Sequence, residues 1–261
     1  VLVSVATAEL TGRDAQKLAF VFPGQGSQYV GMGKALYEAS SAARRIFQQA
    51  DEILGFELSQ LCFEGPADEL EDTINAQPAI LTVSLACLAA VREKLDEVGH
   101  HWQPPCFVAG HSLGEYTALV AAGALDFGDA LRLVRERGRL MKESGDNRPG
   151  GMAAVVGLDR VSLESTCERA SAETDSIVSV ANANSPEQFV ISGERAALDR
   201  AIELIREAGS RTVVPLRISI ASHSPLMQVA AARLAEIIDR SPLRDPQVPI
   251  VMNIAGQVRT S

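Results

Sequence analysis

Short continuous runs of apolar residues alternate along this chain with longer stretches in which apolar residues recur at helical spacing. Two such runs, Leu18–Phe22 and Cys106–Ala109, are each closed by a glycine-containing turn. A continuous apolar run of this length is typical of a parallel strand that is buried on both faces of its sheet. Residues 34–100, between the two runs, favour helices, with breaks near Gly55 and Gly65. The pattern therefore predicts an α/β protein with a parallel-sheet core.

The pattern changes after residues 145–151, a glycine-rich stretch that is typical of a linker. The segments that follow alternate in the order strand, helix, strand, strand, helix, strand, which is the pattern of a ferredoxin-like unit. We therefore predict that a ferredoxin-like small subdomain, residues 150–216, is inserted into a larger core made of residues 17–145 and 217–261. The last strand of that core is predicted at Pro249–Ile254.

The composition is that of an ordinary folded protein. Of 261 residues, 46% are hydrophobic and 22% are charged, which is enough for one large domain with a smaller insertion. The net charge of −9 argues against a nucleic-acid-binding protein, because such a protein needs a basic face. It also disfavours binding to an anionic membrane surface. No apolar run approaches the length of a membrane span, so no membrane association is expected.

The four cysteines, Cys62, Cys87, Cys106 and Cys167, are sparse and irregularly spaced. No two of them form a C-x-x-C pair and no histidines cluster with them, so we expect no metal site. All four are interpreted as buried, unreactive thiols of a protein in a reducing compartment, which predicts a cytoplasmic location.

The strongest candidate for chemistry is the sequence Gly110-His-Ser-Leu-Gly114. It follows the second apolar run and opens a helix-compatible stretch, which is the strand–turn–helix context of a G-x-S-x-G nucleophile elbow. The glycines permit a sharp turn that holds the Ser112 hydroxyl away from the backbone. The same turn directs the backbone N–H of Leu113 towards a substrate carbonyl oxygen. One motif thus predicts a nucleophile and half of an oxyanion hole.

A serine nucleophile needs a base, and the chain has four histidines. His100 and His101 follow a helix end and are expected to be solvated, whereas His111 lies inside the elbow, where it is expected to orient or pack. His223 stands at the end of an apolar stretch, where ligands meet the sheet in open α/β folds, and is therefore predicted to be the base. Since no acidic residue between Ser112 and His223 stands out as a third member, we predict a Ser–His dyad rather than a triad.

Arg137 is the second candidate for a functional side chain. On a helical projection of residues 131–141 it is the one charged residue on the apolar half. A buried guanidinium needs a partner, because an unpaired charge in the interior is very costly. Two interpretations follow: a structural ion pair, or a guanidinium that binds a substrate carboxylate through two hydrogen bonds. Helix geometry alone does not decide between them.

Gln25 lies in the glycine-rich loop that leaves the first strand. Its neighbours Gly24 and Gly26 allow the backbone to approach a ligand closely, so an N–H in this loop would serve as the other half of the oxyanion hole. The alternative is an ordinary glycine turn with no role in catalysis.

Five motifs occur in a fixed order along the chain. They are Phe22-Pro-Gly-Gln-Gly-Ser-Gln28, Gly110-His-Ser-Leu-Gly-Glu115, Arg137-Gly-Arg-Leu-Met141, Asn182-Ala-Asn-Ser-Pro-Glu-Gln188 with Val190-Ile-Ser-Gly193, and Ser222-His223. In these motifs the chain closely resembles the malonyl-CoA:acyl carrier protein transacylases and the related acyltransferase domains of polyketide synthases. The resemblance covers about residues 17–255, nearly the whole chain.

The resemblance implies an α/β-hydrolase-like core with a ferredoxin-like small subdomain. It implies that a malonyl group passes in ping-pong order from malonyl-CoA, through an ester on Ser112, to the phosphopantetheine thiol of an acyl carrier protein, for fatty acid or polyketide synthesis. No cofactor is implied, because malonyl-CoA is a substrate and phosphopantetheine is carried by the partner protein. Members of the family continue beyond the position equivalent to Ser261, so the C-terminal part of the fold is expected to lie outside this chain.

The resemblance also implies roles for individual residues. His223 matches the base that activates the serine, and Gln25 and Leu113 match the backbone donors of the oxyanion hole. Arg137 matches the residue that holds the malonyl carboxylate, which favours the second interpretation of this side chain. Asn182 matches a residue that the small subdomain contributes to the cleft.

Two other functions are alternatives at the level of sequence. A serine thioesterase or esterase would use the same elbow with water as the acceptor. A chain that lacks part of the fold would act as a non-catalytic domain that docks an acyl carrier protein. Carrier proteins are acidic, so docking needs a local basic patch. Candidate residues for that patch, each with a solvated surface as the alternative, are Arg195, Arg200, Arg206 and Arg211.

Overall fold

The computed structural model describes residues 18–216, 218 and 220–261. Within these residues the first half is mostly helical and the strands form two four-stranded sheets. The helices are α1 Lys34–Ala39, α2 Ser41–Leu54, α3 Leu58–Glu64, α4 Ala67–Glu71, α5 Thr73–Glu97, α6 Gly114–Ala121, α7 Phe127–Asn147, α8 Arg160–Thr174, α9 Arg195–Glu207 and α10 Gln228–Ile238. The strands are β1 Ala19–Phe22, β2 Phe107–Gly110, β3 Gly150–Val156, β4 Val178–Ser185, β5 Gln188–Glu194, β6 Thr212–Pro215, β7 Ile250–Val251 and β8 Val258–Arg259.

The first sheet has the strand order β1-β2-β7-β8. Strands β1, β2 and β7 are parallel, whereas β8 runs antiparallel to β7. The predicted α/β class is confirmed and the three predicted core strands are parallel, but β8, which was not predicted, makes the sheet mixed. Strand β2 pairs with β1 along its length, from Ala19↔Phe107 to Phe22↔Gly110, and with β7 on its other side. The segment after Gly110 therefore leaves a strand that is held on both edges.

Strand β7 is shorter than predicted. The sequence predicts a strand over Pro249–Ile254, whereas β7 contains only Ile250 and Val251. The chain reverses direction after Val251, because the Met252 N–H donates to the Gln257 carbonyl and the Gly256 N–H donates back to the Met252 carbonyl. This reversal places β8 beside β7.

Helix α5 is the centre of the helical part of the fold, whereas α6 packs directly against strands β1 and β2. It has 25 residues and packs against α2 and α7, with Ala79, Leu81 and Ala86 in the core. By length and composition α5 would be able to cross a membrane, which corrects the expectation that no apolar run reaches that length. Half of its most apolar window is buried inside the fold, as in the core helix of a folded domain.

The second sheet has the order β4-β5-β3-β6, and all its pairings are antiparallel. Helices α8 and α9 pack against it around Leu163, Ile191 and Leu198. The predicted linker at residues 145–151 is mostly absent, since α7 runs to Asn147 and β3 begins at Gly150. Gly145 therefore lies inside α7 and not in a linker. It packs closely against Ile220, so a side chain at position 145 would not fit.

The cysteines differ from their predicted environment. Cys62 and Cys167 are buried, whereas Cys87 and Cys106 are exposed, so the interpretation of all four as buried thiols is wrong for two of them. Burial raises the pKa of both Cys62 and Cys167 to about 12. Cys87 lies on the outer side of α5 and Cys106 precedes β2, outside the packed layers.

Candidate active site

Ser112 lies on the sharp turn between β2 and α6. Its φ angle is 51°, in the left-handed region that residues other than glycine rarely adopt. A Cβ atom on Gly110 would lie 1.9 Å from the carbonyl carbon of Gly114, and one on Gly114 would lie 2.3 Å from the Phe22 carbonyl oxygen. Both positions therefore require glycine, and the elbow packs directly against the end of β1.

His223 meets the hydroxyl of Ser112, with Nε2 at 2.9 Å from Oγ. His223 also has a left-handed backbone, with φ 59°, so both members of the pair are held in a costly conformation, as is common at functional sites. Burial of the imidazole, helped by the positive charge of Arg137 and by His111, lowers the pKa of His223 from 6.5 to about 4. At neutral pH the ring is therefore uncharged, and Nε2 is able to accept the serine proton.

Arg137, on α7, lies beside the same hydroxyl. Its Nη2 donates to Ser112 Oγ at 3.2 Å and its Nη1 donates to Gln77 Oε1 at 2.6 Å. Its Cζ lies 5.7 Å from the centre of the Tyr116 ring. Burial lowers the pKa of the guanidinium, whereas Tyr116 and Glu115 act in the opposite direction. Within the described ranges Arg137 forms no ion pair with a carboxylate, so the structural-ion-pair interpretation finds no partner there.

A row of buried side chains connects Arg137 to the loop after β1. Gln77 is fully buried on α5, and its amide nitrogen donates to Thr73 Oγ1 at 2.8 Å. The Thr73 hydroxyl donates in turn to Oε1 of Gln25 at 3.0 Å. Helix α7 comes this close to α5 because Gly138 has no side chain: a Cβ atom there would lie 2.6 Å from the Thr73 carbonyl oxygen.

The loop that contains Gln25 touches the elbow. A Cβ atom on Gly24 would lie 2.4 Å from the carbonyl oxygen of His111. In the part of the chain that the structure covers, neither the Gln25 N–H nor the Leu113 N–H donates to a protein acceptor. The side chain of Leu113 is fully buried. The two N–H groups that the sequence predicts as oxyanion donors therefore belong to segments in direct contact.

The small sheet reaches the elbow through Asn184, whose Oδ1 lies 3.3 Å from Nε2 of His111. Asn182, the residue singled out from the sequence, is half-buried on β4, and its side chain has no hydrogen bond to the other predicted site residues. Asn184 was not predicted from the sequence. It belongs to the same Asn-Ala-Asn segment as Asn182 and lies at an irregularity in the pairing of β4 with β5, between Ala183 and Ser185.

Gln77 and Asn253 were also missed. The Oδ1 atom of Asn253 accepts a hydrogen bond from the Ser112 N–H at 3.0 Å, and its amide nitrogen donates to the Gly110 carbonyl. Gln77 has the same sequence signal as Arg137, since it is a polar residue within an apolar helical stretch. Asn253 follows the end of a core strand, where ligand-binding side chains gather in α/β folds.

A cavity of about 280 Å³ opens beside Arg137 and His223. The rest of its wall is mostly apolar and includes Leu140, Met141 and Met227. A cavity with a cation at one side and apolar walls suits a small acyl group that ends in an anion.

Comparisons with known proteins agree with this chemistry. Residues 19–260 match the family model of the acyl transferase domain. The malonyl CoA-acyl carrier protein transacylase of Bacillus subtilis (strain 168) is 48% identical over 244 residues, which are 94% of this chain and 74% of that protein. The transacylase of Escherichia coli (strain K12) is 41% identical over 245 residues, 94% of this chain and 77% of that protein.

Solved structures show the same similarity. A malonyl-transacylase in complex with its type II polyketide synthase acyl carrier protein superimposes with a TM-score of 0.86 at 40% identity, covering 94% of this chain and 77% of that chain. The malonyl CoA-acyl carrier protein transacylase of Coxiella burnetii also has a TM-score of 0.86 at 40% identity, covering 94% and 75%. The similarity therefore extends over nearly the whole of this chain.

Proposed function

Because this chain belongs to the acyl transferase domain family, we propose that it transfers a malonyl group from malonyl-CoA to the phosphopantetheine thiol of an acyl carrier protein. One observation carries the proposal: Ser112 Oγ lies 2.9 Å from His223 Nε2 and 3.2 Å from Arg137 Nη2. A nucleophile, a base and a fixed cation at one point are what acyl transfer from the thioester of a diacid requires.

In the first half-reaction His223 Nε2 takes the proton of Ser112 as Oγ attacks the thioester carbonyl. The new C–O bond leaves a negative charge on the carbonyl oxygen, which the backbone N–H groups of Gln25 and Leu113 stabilise. The C–S bond then breaks, and the sulfur of coenzyme A leaves with the proton that His223 carried. The product is a malonyl ester on Ser112.

The second half-reaction reverses these steps with a different thiol. The phosphopantetheine thiol gives its proton to His223, and its sulfur attacks the ester carbonyl. The same N–H groups stabilise the second oxyanion. The C–O bond to Ser112 breaks, Oγ takes the proton back from His223, and the malonyl group leaves as a thioester of the carrier protein.

Arg137 is the residue that we assign to the malonyl carboxylate. Its guanidinium is anchored by the neutral amide oxygen of Gln77, so its charge is available to an incoming anion. An acetyl group would leave the guanidinium without a partner, which penalises its binding relative to malonyl.

We also propose a fold class for each of the two parts of the chain and a cellular location for the protein. The antiparallel order β4-β5-β3-β6 supports a ferredoxin-like class for residues 150–216, with Asn182 as its contribution to the cleft. The strand–elbow–helix unit supports an α/β-hydrolase-like class for the core, residues 17–145 and 217–261. The four cysteines are unpaired, which fits a reducing, cytoplasmic compartment.

Intact mass spectrometry after mixing with malonyl-CoA tests the proposal. We expect one malonyl group on the wild-type protein, mapped to Ser112, and none on a Ser112→Ala variant. Addition of holo acyl carrier protein is expected to return the enzyme to its original mass while the carrier gains the malonyl group.

Two outcomes would replace the proposal with another function. Release of free malonate faster than transfer to the thiol would indicate a serine thioesterase. A well-folded wild-type protein that forms no adduct would indicate a non-catalytic domain that docks the carrier protein.

A further inference from the structure

Asn253 bonds to the elbow at the point where strand pairing stops. The pairing of β2 with β7 ends at Ala109 and Val251, so the ladder does not extend over the turn that carries Ser112. Beyond that point the carboxamide of Asn253 makes the hydrogen bonds to the turn: Oδ1 accepts from the Ser112 N–H at 3.0 Å, and the amide nitrogen donates to the Gly110 carbonyl. One side chain thus holds the elbow on both sides of His111.

The backbone of Asn253 is fixed by the elbow in return. Its N–H donates to Oε1 of Glu115, in the first turn of α6, at 3.1 Å. Burial raises the pKa of Glu115, and the hydrogen bond from Asn253 and the charge of Arg137 oppose that rise. The end of β2, the nucleophile and the start of α6 are therefore all hydrogen-bonded to one residue of the turn that follows β7.

The conformation of Ser112 makes such a tie necessary. A residue other than glycine in the left-handed region costs about 1–3 kcal/mol and persists only when its surroundings hold it. The two hydrogen bonds of Asn253 run in opposite directions, one accepted and one donated, and the oxygen and the nitrogen of its carboxamide supply one each. Together they fix the peptide planes on both sides of the turn and hence the direction of Ser112 Oγ.

We infer that Asn253 is a positioning residue for the reaction: its carboxamide holds Ser112 in the conformation in which Oγ meets His223. This inference deepens the proposed function and rests on it. Asn253 does not touch the reacting atoms. Its loss should therefore slow attack by the serine without changing the affinity for malonyl-CoA.

Three variants test the inference. Asn253→Ala removes both hydrogen bonds. Asn253→Asp has nearly the same size and keeps an acceptor for the Ser112 N–H, but it cannot donate to the Gly110 carbonyl. Gln257→Ala is the matched control, because it removes an exposed carboxamide from the same turn, where Gln257 bonds through its backbone only.

The main measurement is the single-turnover rate of ester formation at saturating malonyl-CoA. We expect a decrease of about 100-fold for Asn253→Ala and a comparable decrease for Asn253→Asp, since a displaced nucleophile loses near-attack geometry. In Asn253→Ala, which adds no charge to the site, the half-saturating malonyl-CoA concentration and the acid limb of the pH profile should stay unchanged, because Arg137 and His223 are untouched. The Gln257→Ala variant should react at the wild-type rate.

A second measurement does not depend on malonyl binding. A fluorophosphonate phosphonylates an activated serine, with displacement of fluoride, and we expect its labelling of Ser112 to slow by a similar factor in both Asn253 variants. If Asn253→Ala fails to fold, Asn253→Asp alone decides the question, since its thermal unfolding is checked in parallel.

The outcomes separate this inference from the proposed function. Wild-type rates of both ester formation and labelling in folded Asn253→Asp would overturn the role of Asn253. A raised half-saturating concentration with a full maximal rate would overturn it too, because it would assign Asn253 to substrate binding. A wild-type protein that is labelled by the fluorophosphonate but never malonylated would instead overturn the proposed function, and the labelling rates would still test Asn253.

Discussion

The guanidinium of Arg137 is held by two neutral oxygens, those of Gln77 at 2.6 Å and Ser112 at 3.2 Å. A buried cation without a counter-ion is costly, so its retention beside a nucleophile points to a ligand that supplies the negative charge. The same charge lies close enough to His223 to lower the pKa of the imidazole. In the proposed mechanism one side chain therefore influences both the choice of acyl group and the state of the base.

Replacement of this side chain should change the preference of the enzyme. In Arg137→Ala the malonyl carboxylate loses a charged hydrogen bond worth about 1.5–3 kcal/mol, which is a decrease of about 10- to 150-fold in kcat/KM for malonyl-CoA. Competition between malonyl-CoA and acetyl-CoA, followed by intact mass, measures the change in preference. Arg139→Ala is the control, because Arg139 lies on the same helix and pairs with Glu136. Unchanged malonyl selectivity in Arg137→Ala would contradict the assignment.

The acid limit of the reaction should also depend on Arg137. Acylation needs the neutral imidazole of His223, whose pKa is lowered to about 4, so the rate should fall only as the pH approaches that value. In Arg137→Gln the positive charge that opposes protonation is lost and the pKa of His223 rises. The ring is then protonated at higher pH, so the acid limb of the pH profile moves to higher pH. Burial of the imidazole still keeps the pKa of His223 below 6.5.

The pH dependence of fluorophosphonate labelling of Ser112 measures this limb in both proteins without a need for malonyl binding. A limb that stays in place or moves downward in Arg137→Gln would show that the charge of Arg137 does not act on His223.

At the scale of elements, the position of Arg137 depends on how α7 crosses α5. The close approach at Gly138 brings the buried amide of Gln77 against the guanidinium, although the two residues are 60 positions apart in sequence. Because the anchor is an amide, it orients the cation without neutralising it. The chemistry of the site thus depends on a neutral residue of a neighbouring helix.

A change of that anchor from amide to acid should close the site to malonyl groups. Gln77→Glu places a carboxylate against Nη1 of Arg137, where it forms a buried ion pair and competes with the substrate carboxylate. We expect KM for malonyl-CoA to rise by about tenfold or more, a cost of about 1.4 kcal/mol, because the guanidinium is already paired. Steady-state kinetics measure KM, and thermal unfolding checks the fold.

The chain offers a matched control for this change. Asn75, also on α5, accepts a hydrogen bond from Nη1 of Arg135 at 2.6 Å, outside the site. Asn75→Asp makes the same amide-to-acid change beside an arginine and should leave KM unchanged. An equal rise of KM in Asn75→Asp, or no rise in Gln77→Glu, would contradict the role of Gln77.

These elements also show what the sequence was able to predict. Strand β2, the elbow and α6 were predictable because the signal is local: an apolar run, two glycines and a helical stretch follow one another. Arg137 was singled out because a single charge on the apolar half of a helix is a local anomaly. His223 was singled out only by elimination among four histidines, because its contact with Ser112 joins residues 111 positions apart and leaves no local signal.

The residues that were missed depend on tertiary contacts. The bond from Ser112 to Asn253 spans 141 positions, and nothing in the local pattern shows that β7 ends after Val251. The contacts of Asn253 are with a turn that is distant in sequence, so a continued strand was the natural expectation. For the same reason β8 was not predicted, because the reversal that forms it is fixed by backbone hydrogen bonds around Met252.

At the scale of the whole molecule, charge limits how a carrier protein is able to approach. The chain has a net charge of −9, so an acidic partner must dock on a local basic surface. Of the four arginines proposed for this surface, Arg200 pairs with Glu173 and Arg211 with Glu187. Arg195 and Arg206 are exposed and form no ion pair within the residues that the structure describes. Their charge is therefore the part of this patch that is available to a partner.

Charge reversal at these two positions should separate docking from chemistry. In a double variant, Arg195→Glu with Arg206→Glu, we expect KM for holo acyl carrier protein to rise by about three- to tenfold at low ionic strength, because exposed charges each contribute up to about 1 kcal/mol. The effect should shrink as salt is added. Ester formation from malonyl-CoA and discharge of the ester by free pantetheine should keep their wild-type rates, since neither reaction involves the surface of the carrier. A rise in KM that is equally large for pantetheine would place the two arginines at the cleft, and unchanged KM for the carrier would move the docking surface elsewhere on the molecule.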